Sequence, residues 1–447
     1  MVDSPQSALS RLLGSVRFPD MALIRRKLDT RELGDVAEVL AAQAGDLDLA
    51  SRIAPGQSVA IAVGSRGIHR LDQVVRALGD LFRGLGAQPF IVTAMGSHGG
   101  ATALGQEQVL ESLGITARSM GVPVRSGVET VELGTTAQGM PVLVDALAAR
   151  ADHLVVVNRI KAHTKFKGPV ESGLMKMLAV GLGNDLGARR LHSLAPVHGM
   201  FALIESTALT ILKRGNLLCG VGLVENGVGR LHTLRILLPQ EIPYQENHLL
   251  TLAKKLAPKL PFSELDVLIV DQIGKDISGT GMDTNVTGRN RDILGDFATS
   301  TQIKRIFVRD LSPGTEGNAL GIGFADVTTD RVVRSLDYSK TMINALTGLS
   351  PEKAALPLHL PSDRLALAAA IHTLGAIPPG ELRISRIQNT RSLERLYVSP
   401  ALLQNAPADQ ELLHPPRPMD FIGDDLAPFP CLPVRKNILF KNAHKEE

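Results

Sequence analysis

Three short apolar runs, Ser58–Val63, Pro89–Thr93 and His153–Val157, each break off into a turn rich in Gly, Ser or His, and this pattern limits the chain more than any other feature. Runs this short, with no polar alternation, are strands covered on both faces, as parallel sheets require. Parallel strands need crossover connections, and helical signals fill the intervals between Ser58 and Val224. The predicted fold class is therefore α/β and doubly wound, with the turns that follow the strands gathered along one edge of the sheet. That edge is where open α/β sheets hold their ligands.

A chain of 447 residues exceeds what one core usually supports. We expect two α/β domains with a cofactor cleft between them: residues 1–257, residues 258–403, and a Pro-rich tail over 404–447 whose PVRKNILF segment packs back on the first domain. The first domain closes with a helical run Gly199–Lys213 and a strand Asn216–Val224. A connecting helix follows over Tyr244–Leu260, with Pro258 and Pro261 marking a hinge. The second domain opens with strand Asp266–Val270, then strand Gln302–Val308 and helices over Thr328–Leu346 and Leu365–Leu374.

Composition excludes several classes. No apolar run reaches 18 residues and the N-terminus lacks a secretion pattern, so a soluble, cytoplasmic protein without membrane partners is expected. Two cysteines, Cys219 and Cys431, cannot build a disulfide scaffold, an iron–sulfur cluster or a cysteine zinc site. A net charge of +3 with scattered basic residues and 3% aromatics gives no nucleic-acid surface. No G-x-G-x-x-G follows a strand where a nicotinamide enzyme needs it.

Chemistry concentrates between Asn158 and His192. His163 falls just past a strand end. Gly168-Pro169 reads as a helix opening, followed by Val170, Leu174, Met177, Leu178 and Leu182 at helical spacing. The Ser172 and Gly173 amides are expected at that helix N-terminus, where unpaired N–H groups can hold a phosphate. Lys176 stands between two methionines, where desolvation favours the neutral, nucleophilic amine. Taken singly, a histidine after a strand is more often structural and a lysine in an apolar helix usually reaches to water. Their joint occurrence is the stronger signal. Upstream, His98 follows another strand end and precedes Gly99-Gly100 and a helix from Ala103; Arg66 sits in GSRGIHR after the Ser58–Val63 strand, with His69 read as surface.

This constellation resembles the lactate racemase (LarA-like) family of nickel-pincer enzymes, over roughly residues 15 to 400. The resemblance implies a nickel-pincer nucleotide, a pyridinium mononucleotide with two sulfur-containing arms, attached at Lys176. By the same likeness His192 is the nickel ligand, with His198 as the alternative in the loop GARRLHSLAPVHG. His98 and His163 are the acid/base pair, and Arg66 lies beside cofactor and substrate carboxylate. The implied reaction is racemisation or epimerisation of a 2-hydroxy acid, by hydride transfer to the cofactor while a histidine takes the hydroxyl proton. Partners would be that substrate and the proteins that build the cofactor. The chain departs from the family in three places. An arginine usual after the first histidine is replaced by Gly99. An aspartate usual before Arg66 is absent, with Val63 near its place. A glutamine and lysine of the second domain are not recognisable, which leaves Asp283, Asn285 and Arg289 as candidate substrate contacts. Two other classes compete: a hydrolase whose zinc is held by His98, His163 and His192, and a non-catalytic cofactor-binding protein.

Overall fold

The computed structural model describes residues 5–291, 293, 301–404 and 410–430. Two sheets organise it. The first has six strands in the order Val124–Arg125, Gln88–Thr93, Ser58–Val63, His153–Arg159, Leu217–Glu225 and Leu231–Leu237. All neighbours are parallel except the last pair. From Ser58–Val63 the chain winds outward on one side, then restarts at His153–Arg159 on the other, so the order reverses between those two strands. Alternate residues feed two cores: Val59, Ile61, Val63, Val155 and Val157 face helices Val36–Asp46 and Leu71–Gly84, while Ala60, Ala62, Leu154 and Val156 face helices Met200–Arg214 and Ile242–Leu256. Each fully buried Val or Ile contributes about 1.5–3 kcal/mol, which favours strands covered on both faces over an exposed alternative.

The second sheet has eight strands in the order Leu358–Leu360, Val327–Thr329, Gln302–Leu311, Glu264–Ile273, Ile384–Ile387, Arg395–Val398, Met21–Arg26 and Gln410–Arg417. The first five are parallel and the remainder antiparallel. Two elements lie where the sequence did not place them. Met21–Arg26, expected in the first domain, is a strand of this sheet. The tail follows it: Gln410–Arg417 pairs with Met21–Arg26, and Arg309, Arg386 and Arg395 donate to the carbonyls of Leu426, Ala427 and Pro430. The tail therefore packs on the second sheet rather than the first, because an open strand edge and buried arginine donors receive it there. PVRKNILF lies outside the described residues.

Helix boundaries also moved. The single helix expected over Thr328–Leu346 is a short strand followed by helices Asp330–Ser335 and Tyr338–Thr347, capped by Thr329 and Asp337 respectively. The GARRLHSLAPVHG segment is not a loop but part of helix Asn184–His198. No helix of the described residues is long and apolar enough to cross a membrane.

Candidate active site

The carboxyl ends of Ser58–Val63, Gln88–Thr93 and His153–Arg159 run side by side and deliver Gly64–Gly67, Ala94–His98 and Asn158–Thr164 into one cleft of about 930 Å³. The order reversal described above falls at this edge, the place where such sheets bind ligands. Lys176 and His192 line the cleft from the helical segments behind it, and Lys275–Gly279, Asp283 and Asn285 face them from the end of Glu264–Ile273 in the second sheet.

The helix that carries Lys176 begins at Leu174, not at Gly168-Pro169. Lys161 and Ser172 exchange backbone hydrogen bonds as an isolated antiparallel bridge, which keeps the intervening residues looped. Ser172 therefore lines the cleft with its amide already engaged, and Gly173 does not line it. The helix N-terminus is filled from behind by Glu246, whose carboxyl accepts the Met175 N–H at 2.9 Å. Glu246 is fully buried, and burial pushes it up to about 8, so it sits there as a neutral acid. A Cβ on residue 173 would lie 1.9 Å from its Oε1, so glycine is required beside it. One helical turn later the chain widens into a π-turn over Met177–Gly181, a local form common at functional sites.

His163 is fixed by three groups. Its N–H donates to the buried Glu171 at 2.6 Å, its Nδ1 accepts the Lys165 N–H at 3.0 Å, and its Nε2 is 2.7 Å from Lys176 Nζ. These partners assign the proton. A ring whose Nδ1 accepts a backbone N–H must carry its hydrogen on Nε2 when neutral, and that hydrogen points at Lys176. The amine can receive it only as a neutral NH₂ group. The electrostatics agree: burial first, then Arg66, Lys161 and Lys165, bring Lys176 down to about 7, and burial followed by Lys176 keeps His163 well below its ordinary value. The second sheet's unit holds the same loop, since Thr284 Oγ1 donates to the Thr164 carbonyl at 2.7 Å, Lys165 Nζ to the Gly348 carbonyl at 2.5 Å, and Asn285 Nδ2 to the His163 carbonyl at 3.3 Å.

Opposite, His98 pairs through Nδ1 with the Ser65 hydroxyl. Burial lowers its pKa to about 3, with Arg66, Lys275 and Lys176 adding to the effect. Gly99 and Gly100 follow it in the left-handed region, and a Cβ on residue 99 would lie 2.6 Å from the backbone of Gly105 and Gln106. No side chain fits there, which is why the arginine of the resembling family cannot occupy this position. Of the two alternatives on helix Asn184–His198, His192 faces the cleft, whereas His198 is exposed at the helix end and does not line it. Asp283 and Asn285 line the cleft; Arg289 does not. Arg289 pairs with Asp326 and donates to the carbonyls of Phe324 and Ile303, a structural brace of the second sheet.

Residues 21–184 match the model of the lactate racemase N-terminal domain. Over that span, little more than a third of the chain, it is similar to the lactate racemase (LarA-like) family. The matched span contains Arg66, His98, His163 and Lys176 and stops before His192. Among solved structures, the chain is similar to a protein of Thermotoga maritima at 13% identity, covering 63% of this chain and 72% of that one with a TM-score of 0.46. It is similar also to the lactate racemase apoprotein of Thermoanaerobacterium thermosaccharolyticum at 14% identity, covering 78% and 81% with a TM-score of 0.44. No curated protein matches it.

The cleft is dominated by cations. Arg66 presents much of its surface to the cleft, yet the surrounding walls lower its pKa, by burial first and Arg159 second; a guanidinium remains charged even so. Lys161 is brought down to about 8 by burial and Arg159, and Lys275 to about 7 by burial, Arg66 and Lys353. The nearby carboxylates are engaged: Glu225 with Arg159, Asp276 with Ser312, and Asp283 as the cap of helix Thr284–Thr287. Cations that depress one another's pKa in this way form a receptor for anions. Lys161, Lys275, Ser65 and Glu246 escaped the sequence reading. Lys275 follows its strand as His98 and His163 follow theirs, so the rule that found the histidines would have found it too. Glu246 interrupts the apolar stripe Ile242, Leu249, Leu250 and Ala253, a signal for a buried acid.

Proposed function

We propose that this chain is a nickel-dependent racemase or epimerase that inverts the C2 centre of a 2-hydroxy acid. The observation that carries this reading is the convergence of Arg66, His98, His163, Lys176 and His192 on one cleft from separate elements. The donor set fits a nickel-pincer nucleotide. Lys176 offers an amine held in its nucleophilic form, His192 offers an imidazole in the same cleft, and Arg66, Lys161 and Lys275 offer charge for a phosphate together with a substrate carboxylate. When bound, that group supplies the hydride acceptor and donor that inversion needs. The rest falls to side chains. Arg66 and Lys275 hold the carboxylate while the 2-keto intermediate turns to present its opposite face. His98 and His163, on separate strand ends, take the hydroxyl proton and return it, one serving each enantiomer. To take a proton at Nε2, His163 must first carry its hydrogen on Nδ1, which requires the Lys165 N–H to turn away once acylation of Lys176 has removed the lone pair that Nε2–H now meets.

Both histidines are neutral at neutral pH, which suits a base, but a pKa near 3 makes His98 a weak one. Anionic ligands offset this, because a phosphate or carboxylate beside Arg66 and Lys275 cancels the repulsion that lowers it. Among the described residues the chain passes between the sheets twice, over residues 27–35 and 257–263, and closure about these links would shield a keto intermediate from water. Small-angle scattering with and without a substrate analogue should show compaction; an unchanged radius counts against closure. We place the enzyme in the cytoplasm, served by the proteins that build the cofactor. A histidine-only zinc hydrolase has less support: among the described residues no three His, Cys, Asp or Glu side chains gather as a ligand set.

The test is the intact mass and nickel content of protein produced together with cofactor-building enzymes, in wild type, Lys176→Ala and His192→Ala. A mononucleotide-sized addition that vanishes in Lys176→Ala, with nickel that falls in His192→Ala, is expected, followed by interconversion of 2-hydroxy acid enantiomers. An adduct without turnover of any 2-hydroxy acid would make the chain a non-catalytic binder; neither adduct nor nickel would remove the reading.

A further inference from the structure

The turn after Ser58–Val63 carries a hydroxyl that the mechanism above does not use. Ser65 Oγ bonds His98 Nδ1, and this is the single hydrogen bond either side chain makes among the described residues. Both residues line the cleft, from neighbouring parallel strands in register, with Val63 opposite Thr93. With Nδ1 engaged, Nε2 is the ring nitrogen left for a ligand.

We propose that Ser65 is the positioning residue of His98: its hydroxyl holds the ring through Nδ1 and so sets the orientation in which Nε2 meets the substrate oxygen. The choice of a hydroxyl has a chemical consequence. A base that uses Nε2 keeps its hydrogen on Nδ1, and the imidazolium it becomes keeps it there too, so Nδ1–H donates to Ser65 Oγ in both working states. A carboxylate at this position would accept the same bond but add a negative charge, favouring the imidazolium and raising the pKa. A hydroxyl orients the ring without adding charge to a cleft whose other walls are cationic. It also tolerates the opposite tautomer, since it can donate. Anions bound at Arg66 and Lys275 can then tune His98 without competition from a fixed carboxylate.

This inference rests on the proposed acid/base role of His98, and its test separates the two. ¹⁵N chemical shifts of the His98 ring are recorded in the full chain, without cofactor, for wild type, Ser65→Ala and Ser65→Thr. Wild type and Ser65→Thr are expected to share the same ring shifts, with the Nδ1 shift of Ser65→Ala displaced by loss of the hydrogen bond. In cofactor-loaded protein, Ser65→Ala is expected to lose about 10- to 100-fold in kcat with KM little changed, the range for removing a partner that orients a functional imidazole, and Ser65→Thr to restore most of it. Identical ring shifts in all three proteins overturn the proposal whatever the activity. A Ser65-dependent ring in a protein that turns over no 2-hydroxy acid upholds Ser65 as the partner of His98 and refutes the reaction instead.

Discussion

An ordinary lysine, with a pKa of 10.5, leaves about three amines in ten thousand unprotonated at pH 7, whereas Lys176, brought down to about 7, leaves about half. The excess of free amine is about a thousandfold. Lower basicity also weakens each amine, by about 30-fold over this interval if amines follow the slope known for thiols, which leaves a net advantage of roughly 40-fold over a surface lysine. Brief acylation of the cofactor-free protein, quantified peptide by peptide by mass spectrometry, reads this directly. Raising the pH deprotonates the amine, so Lys176 labelling should climb through pH 7 and level off by pH 9, while surface lysines climb toward pH 10. Steric shielding in the cleft can lower the plateau but cannot move the inflection, so the inflection is the quantity that decides. Burial is the largest cause of the shift and Arg66 the next, so Arg66→Gln should move the inflection upward without abolishing it. A Lys176 that labels with no inflection below pH 10 would refute both the neutral amine and the proton assignment at His163.

Four further outcomes follow from the same geometry. Glu246, pushed up to about 8 from 4.5, holds a proton in the folded state that the unfolded chain releases, so its contribution falls as pH rises from 4.5 to 8; Glu246→Gln should gain on wild type by about 3 kcal/mol between pH 4 and pH 7 in urea unfolding, and an equal difference at both pH values counts against a buried neutral acid. Arg66→Ala and Lys275→Ala should each raise KM for a 2-hydroxy acid about 10- to 100-fold, the loss expected for a charge-assisted hydrogen bond, and an unchanged KM would remove that residue from the carboxylate site. Titrating cofactor-free protein with inorganic phosphate should raise the His98 pKa from about 3, read by NMR, because bound anions offset Arg66 and Lys275; no movement at saturating phosphate would mean the cations do not converge on one anion. Gly99→Arg, which restores the family's usual residue, should lower the melting temperature, since φ is +65° and a Cβ lies 2.6 Å from the Gly105–Gln106 backbone; a variant as stable as wild type would show that this turn can open.

What could be read from the sequence, and what could not, divides by the range of the interaction. The parallel strands, and with them the edge on which His98, His163 and Arg66 sit, follow from local apolar runs and their abrupt ends, and those runs bury as two faces of one sheet. Met21–Arg26 was unreadable because its strand partners lie at Arg395–Val398 and Gln410–Arg417, and no local pattern says which distant edge is open. The start of the Lys176 helix failed for a related reason: Gly168-Pro169 has the right local form, but the Lys161–Ser172 bridge closes a loop around it and the Glu246 carboxyl, distant in sequence, fills the N-terminus, so that the helix starts at Leu174. Among candidate substrate contacts, Asp283, Asn285 and Arg289 were equal in type and spacing, and only packing separates Arg289, held against Asp326, from the two that face the cleft. The sequence therefore shows which chemical groups lie at the sheet's edge, while their protonation is a property of the assembled cleft. A histidine and a lysine thirteen residues apart become a matched donor and acceptor because Lys165 N–H occupies the other ring nitrogen and Arg66 repels a second positive charge. Burial holds Lys176 toward the neutral amine and Arg66 adds to it, so replacing Arg66 weakens the coupling without removing it, while the Lys165 N–H, a backbone group, survives a change of that side chain.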